Sequence, residues 1–216
     1  MNILILAANG QIARIIETRL LQEPQFKTVH LTLVLRNRDR LKPLMKYPQV
    51  TLVEGDITDQ QVLDQVMPHQ DLVYVAVVDH DQQNKITRNI IAAMQRHQVK
   101  RIIATNILGL YQEVPGEFGR WNLAMVQAGL QSAIKADQLL ATSGLCYTTL
   151  RLPWLNDRNE IKYTVTTHDQ PFIGVSGSRQ SVADLILRII ATPQYGANDS
   201  LGIADSATQG QDRPVY

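Results

Sequence analysis

The residues with the clearest chemical potential form a run of small side chains, ILAANGQIAR, at positions 5–14. A strand, a tight turn and a helix start in that order leave backbone amides pointing outward at a positive helix end, as a pyrophosphate requires. Gly10 permits close backbone approach, the amides of Gln11 and Ile12 face outward, and Ala7 and Asn9 shape the turn. Only one of the three glycines usual in such a turn is present; Ala7 and Ala13 take the outer positions. A second signal lies about 25 residues on. Arg36, followed by Arg38 and Arg40, stands where chains that bind an unphosphorylated ribose carry an acid. Arginine there suits a ribose 2′-phosphate, through paired charge-assisted hydrogen bonds. The expected cofactor is NADP rather than NAD.

The elements that must position these residues are legible as apolar runs. Asn2–Ala7 reads as a strand covered on both faces, and Ile12, Ile15, Ile16, Leu20 and Leu21 recur at helical spacing until Pro24. Further strands are expected at Val29–Leu35, Val50–Val53, Leu72–Val78, Lys100–Thr105 and Cys146–Leu152. Between them, a short helix should begin within the basic stretch Arg36–Lys46. Thr58 and Gln61 are spaced as a capping box for a helix to about Met67, and longer helices should cover Gln82–His97 and part of Trp121–Thr142. Alternating strands and helices predict an α/β fold of the Rossmann type, a doubly wound parallel sheet with helices on both faces. After Pro153 the pattern changes. An alternating stretch, Ile161–Thr167, precedes a final helix at Ser181–Ala191 and a short strand at Leu201–Ile203. Residues 1–216 are expected to form one dinucleotide-binding domain, with about 154–216 a small appendage on the substrate side.

With 21 basic against 20 acidic residues the chain has no charge excess, which gives no electrostatic reason to expect nucleic acid or a membrane surface as partner. No apolar stretch approaches the roughly 18 residues of a membrane span. The first residues lack a basic signal-peptide region, and one cysteine, Cys146, excludes an internal disulfide, so a cytoplasmic setting is expected. Cys146 itself reads as a small core residue. His30, His69, His97 and His168 are scattered without metal-ligand spacing, and no metal is expected. Asp79 and His80 follow the fourth strand on the ligand side, where a general acid–base role competes with simple solvation.

Taken in order, the segments AANGQIA, VLRNRDRL, VEGDITD, DLVYVAVV, VKRIIATNILGLY, EVPGEFGRWN, YTTLRLPWLND and SRQSVADLI resemble the atypical short-chain dehydrogenase/reductases, in particular the NmrA-like NAD(P)H-binding group. The resemblance implies that Gly10, Gln11 and Ile12 hold the pyrophosphate and Arg36 the 2′-phosphate. It places Asp56 and Ile57 beside the adenine, and Ala76, Val77 and Val78 under the adenosine and ribose. Thr105 and Asn106 would lie near the nicotinamide ribose, and Pro153 would close the nicotinamide pocket. Tyr111, Trp121 and Asn122 would flank a loop, EVPGEFGRW, rising over the same end.

One departure bears on chemistry. Catalytic members of that superfamily commonly pair a tyrosine with a lysine four residues later, so that the phenol can shuttle a proton as hydride moves. Four residues after Tyr47, Tyr74, Tyr111, Tyr147, Tyr163 and Tyr195 stand Thr51, Val78, Pro115, Arg151, Thr167 and Asp199. The tyrosine position corresponds to Ser132, with Lys135 at the wrong offset. Thr105, Asn106 and Tyr111 are left as catalytic candidates. Three functions are compatible: an NADPH-dependent oxidoreductase acting on a flavin, quinone or small carbonyl compound; a non-catalytic NADP(H)-binding redox sensor; and a sugar-nucleotide epimerase or dehydratase. Either a monomer or a homodimer is compatible.

Overall fold

The computed structural model describes residues 1–216. Strand β1 (Asn2–Leu6) leads through the small-residue turn into α1 (Gln11–Gln22), followed by β2 (His30–Leu35) and β3 (Val50–Glu54). Then come α2 (Gln60–Val66), β4 (Leu72–Val75), α3 (Lys85–Arg96), β5 (Arg101–Ile107), α4 (Gly116–Ala141) and β6 (Cys146–Leu152). The remainder holds β7 (Trp154–Asn156), β8 (Thr164–Thr166), β9 (Ser176–Ser178), α5 (Arg179–Ala191) and β10 (Asp199–Ala204). Eight strands form one sheet in the order β3-β2-β1-β4-β5-β6-β10-β8. Every pairing is parallel except β10 with β8. The chain order reverses beside β1, which makes the carboxyl edge between β1 and β4 the natural ligand crevice.

Two apolar layers hold the helices to this sheet. On one face Ile16 and Leu20 of α1 and Val182, Ile186 and Ile189 of α5 pack on Ile3, Ile5, Leu31 and Tyr74. On the other, Leu63 of α2, Ile90 and Met94 of α3 and Leu140 of α4 cover Leu4, Leu6, Val73 and Ile102. Burying such side chains contributes about 1.5–3 kcal/mol each, so the central strands are anchored from both sides. The C-terminal segment divides between two tasks. Helix α5 and β10 join the main layers, whereas β7 and β9 form a separate parallel pair beside a small cluster of Leu108, Phe118, Phe172, Val175 and Ala204. No helix is long and apolar enough to cross a membrane.

Several sequence expectations shift at element ends. The run Leu72–Val78 leaves the sheet after Val75, and Val77 is apolar because it faces a cleft rather than because it pairs. Helix α3 starts at Lys85 rather than Gln82, since Asn84 takes a left-handed conformation (φ 52°) and Asp81 accepts from the amides of Gln83 and Lys85. The cap of α2 is Asp59, which accepts from Gln61 N, while the Thr58 amide and hydroxyl are taken by Asp56. The stretch after Arg36 is a 3₁₀ helix, Arg38–Lys46, interrupted by Pro43. Of Ile161–Thr167 only Thr164–Thr166 pairs, and Cys146 is half-buried at the start of β6 rather than in the core.

The expected loop EVPGEFGRW is largely helical. Helix α4 begins at Gly116, so Trp121 and Asn122 are helical, and Trp154 Nε1 donates to Asn122 Oδ1 at 2.9 Å. Gly119 permits this early start, because any Cβ there would run into the Val114 carbonyl.

Candidate functional site

A cleft of about 630 Å³ opens at the carboxyl edge, on the β1–β2–β3 side of the crevice. Ala7, Asn9 and Gly10 form its floor at the turn after β1. Leu35, Arg36, Asn37 and Arg40 form one wall, and Gly55, Asp56, Ile57 and Thr58 another. Val77 and Ile86 close the third side.

The floor is built around a strained turn. Ala7 sits at φ 61°, a left-handed conformation that costs an L-residue roughly 1–2 kcal/mol. The turn is held there by hydrogen bonds from Ala8 N to Val34 O and from Gly10 N to Ala7 O. Gly10 caps α1 without any side-chain acceptor, and the first helical hydrogen bond runs from Arg14 N to Gly10 O. The amides of Gln11, Ile12 and Ala13 therefore have no intrahelical partner and add to the positive end of the helix dipole. A Cβ at Gly10 would meet only Ala76 O at 3.6 Å and Ala7 O at 3.8 Å, ordinary contacts. Protein packing does not require glycine here; it leaves open the space immediately over the helix start.

The walls carry opposite charges. Asn37 accepts from Asp39 N and so turns the chain, which brings Arg40 back beside Arg36 on the cleft. Glu54 accepts from Arg38 N at 3.0 Å, tying this turn to β3. Across the cleft, Asp56 Oδ1 accepts from both the amide and the hydroxyl of Thr58 at 2.8 Å. Those bonds hold its carboxyl below the usual range, with Arg36 and Lys85 adding attraction. Oδ2 carries no intramolecular bond and is free to accept from a ligand. The cleft offers apolar Ile57, Val77 and Ile86 to a flat ring, a carboxylate to an amine and two guanidiniums to an anion.

Of the residues expected from the sequence, Ala7, Asn9, Gly10, Arg36, Asp56, Ile57 and Val77 line this cleft together. Gln11 and Ile12 adjoin it at the helix start, and Ala76 presents its carbonyl toward Gly10. Val78, Thr105 and Pro153 lie outside the lining. Arg40, Asn37 and Ile86 are the additions. The basic spacing of RNRDR foreshadows Arg40, whereas nothing in the periodicity of α3 marks Ile86 as a cleft residue rather than a core one.

Farther along the edge, the polar groups singled out for catalysis are hydrogen-bonded to other groups of the protein. Thr105 Oγ1, half-buried near the end of β5, lies 3.3 Å from Tyr74 Oη. Asn106 Nδ2 donates to Ala133 O, and its Oδ1 accepts from Ile107 N. The Tyr111 hydroxyl donates to Asp137, and the Tyr111 ring lies 5.4 Å from the Arg151 guanidinium. Burial and then the neighbouring Asp137 carboxylate push the Tyr111 phenol well above its ordinary range. Pro153 is buried against Gly177. Asp79 caps α3 by accepting from the Thr87 amide and hydroxyl, at 2.8 and 2.7 Å. His80, by contrast, is exposed and bound by no side chain, with its ring beside Gly129 of α4.

Comparisons with known proteins agree with this geometry. Residues 7–193 match a family described as NAD(P)H-binding. A short-chain dehydrogenase/reductase from Veillonella parvula, solved in complex with NADP, superposes with a TM-score of 0.91 at 26% identity, over 100% of this chain and 99% of that one. A Rossmann-fold NAD(P)-binding family protein from Shigella flexneri is 34% identical, with a TM-score of 0.78 over 100% and 98% of the two chains. Among curated proteins, 121 residues (51% of this chain) are 31% identical to N-acetyl-alpha-D-glucosaminyl-diphospho-ditrans,octacis-undecaprenol 4-epimerase of Escherichia coli O157:H7, matching only 33% of that protein's length. Turn, cleft, strand order and matched residues thus converge: the chain belongs to the NAD(P)H-binding family, as an atypical short-chain dehydrogenase/reductase-like Rossmann protein.

Proposed function

We propose that the chain is an NADP(H)-dependent oxidoreductase, built as one dinucleotide-binding unit over residues 1–216, that reduces a small planar acceptor such as a flavin or quinone, or a small carbonyl compound. The observation that carries the cofactor reading is the pair Arg36 and Arg40 on the cleft wall after β2, at the position where an acid would serve an unphosphorylated ribose. In this reading Arg36 and Arg40 hold the 2′-phosphate and Asp56 with Ile57 flanks the adenine. The amides of Gln11 and Ile12 hold the pyrophosphate over Gly10, with Ala7 and Asn9 fixing the turn. Ala76, Val77 and Val78 then lie along the ribose, and Thr105 and Pro153 border the nicotinamide end.

When bound, reduced nicotinamide supplies a hydride, two electrons at once. Hydride transfer to a flavin or quinone needs chiefly positioning, so it tolerates the absent tyrosine–lysine pair. A NADP(H)-binding sensor without turnover is the second reading, favoured by the internal bonding of Thr105, Asn106 and Tyr111. The epimerase likeness covers a third of its relative and is ranked below both.

The test is titration with NADPH and NADH, followed by NADPH oxidation across quinones, flavins and aldehydes. Wild type should prefer NADPH, and Arg36→Ala should weaken NADPH binding at least about 10-fold while leaving NADH nearly unchanged, the loss of one charge-assisted pair. Equal weakening of both dinucleotides overturns the 2′-phosphate assignment. Tight NADPH binding with no turnover on any acceptor selects the sensor.

A further inference from the structure

The glycine at 129 sits in the interior of α4, where glycine is about 1 kcal/mol worse than alanine. Its surroundings explain it. A Cβ at this position would lie 3.0 Å from His80 Nδ1 and 3.6 Å from His80 Cε1, so the helix is notched where the imidazole rests. One turn beyond the notch, Ala133 O accepts from Asn106 Nδ2 near the carboxyl end of β5, so this part of α4 borders the ligand edge of the sheet. The segment that carries His80 leaves β4 at Ala76, whose carbonyl borders Gly10, and runs from there toward α4.

That segment is pinned at both ends. Asp79, buried, is fixed by Thr87 and by the Asp81 amide. Asn84, also buried, donates from Nδ2 to Ser132 O at 2.8 Å, clamping the segment to α4 one turn beyond Gly129. Between the two buried anchors, the exposed Asp81 carboxylate is taken by the amides of Gln83 and Lys85, whereas the exposed His80 imidazole has no hydrogen-bond partner in the protein. Helical side chains lean toward the N-terminus, so a long side chain at 132 would cover the surface around 129. Ser132 is too short to do so, and the imidazole, arriving from the opposite loop, fills that surface instead.

We propose that His80 is the proton donor of the reaction: a catalytic residue placed at the nicotinamide end by the Gly129 notch. The proposal rests on the dinucleotide reading above. As a quinone or carbonyl acceptor takes up hydride from the reduced cofactor, its oxygen gains negative charge, and the His80 imidazolium gives that oxygen its N–H proton. The acceptor is thereby reduced by two electrons and the cofactor oxidised. Neutral His80, open to solvent, recovers a proton from water. Imidazole suits this role because its ordinary pKa lies near neutrality.

The deciding experiment follows ¹³C-labelled imidazole signals, with His80 identified by the signal missing in His80→Gln. NADP⁺ should move the His80 signal, while 2′,5′-ADP, which reaches only the Arg36–Asp56 end, should bind and leave it in place. With an acceptor that wild type reduces, His80→Gln should lower kcat about 100-fold while KM for NADPH changes less than about 2-fold. Gly129→Ala keeps the imidazole but fills its notch, and should lower kcat in the same sense. Binding of NADP⁺ without movement of the His80 signal, or an unchanged kcat in His80→Gln, overturns the assignment and leaves the dinucleotide reading standing. Failure of both NADP⁺ and 2′,5′-ADP to bind overturns that reading itself, and the assignment with it.

Discussion

Arg151 Nη1 lies 2.9 Å from Glu113 Oε1 with both side chains buried, and this pair fastens the loop after β5 to the sheet. Burial pushes the Glu113 carboxyl upward. Bonds from the amides of Glu113 itself, Gly109 and Tyr111, together with the Arg151 charge, outweigh it and hold the group below its ordinary value. Arg151 also donates to the carbonyls of Thr166, Thr167 and Ser200. Removing one partner leaves the other buried and uncompensated, so Glu113→Gln should cost about 3–5 kcal/mol in urea unfolding. Arg151→Met should cost at least as much, because three carbonyls also lose their donor. A depressed carboxyl stabilises the fold above its unfolded pKa, and that contribution is lost as pH falls below about 4.5. A Glu113→Gln loss under 1 kcal/mol would show that the pair contributes little.

Glu17 of α1 presents the opposite case. It is fully buried against the sheet, and neither carboxyl oxygen has a hydrogen-bond partner. Burial pushes its pKa up to about 8, against a smaller attraction from Arg14. The folded state therefore keeps a proton that the unfolded chain releases near 4.5. Stability should fall as pH rises from about 4.5 to about 8 and level off above that. Glu17→Met should raise the melting temperature at pH 7 and flatten this slope, whereas equal slopes in the two proteins would refute the buried neutral acid.

Ala7 offers a test of turn strain. Alanine to glycine usually weakens a protein by adding freedom to the unfolded chain. At φ 61° the native strain is relieved in return, so Ala7→Gly should be neutral or stabilising by up to about 1 kcal/mol. A clear loss of stability in thermal unfolding would mean that the turn does not hold this conformation.

Gly10→Ala should separate folding from binding. The free protein has room for the methyl group, with neighbours at 3.6 and 3.8 Å, so the melting temperature should stay within a few degrees of wild type. The same methyl occupies the space over the free amides of α1, so NADPH affinity should fall about 10-fold or more, as expected when a close approach of about 1.4 kcal/mol is lost. Unchanged affinity would place the pyrophosphate elsewhere.

The layered plan and most of the cleft lining were legible in the residues alone. Continuous apolar runs such as NILIL and the spacing of Ile12, Ile16 and Leu20 can be satisfied only by strands covered on both faces and by helices packed on them. The small-residue turn, Arg36 and Asp56 were legible because each is local: a turn, a strand end, an Asx turn, all set within a few residues. What depends on residues meeting through space emerged only in the folded chain. Thr105, Asn106 and Tyr111 looked available for chemistry until Tyr74, Ala133 and Asp137, 26 to 31 residues distant, took their polar atoms. His80 gained its place only from Gly129, and Arg151 its partner only from Glu113, 38 residues before it. Periodicity reports which face of an element is buried; which side chain it is buried against depends on strand order and register, and these emerge only when the chain has closed on itself.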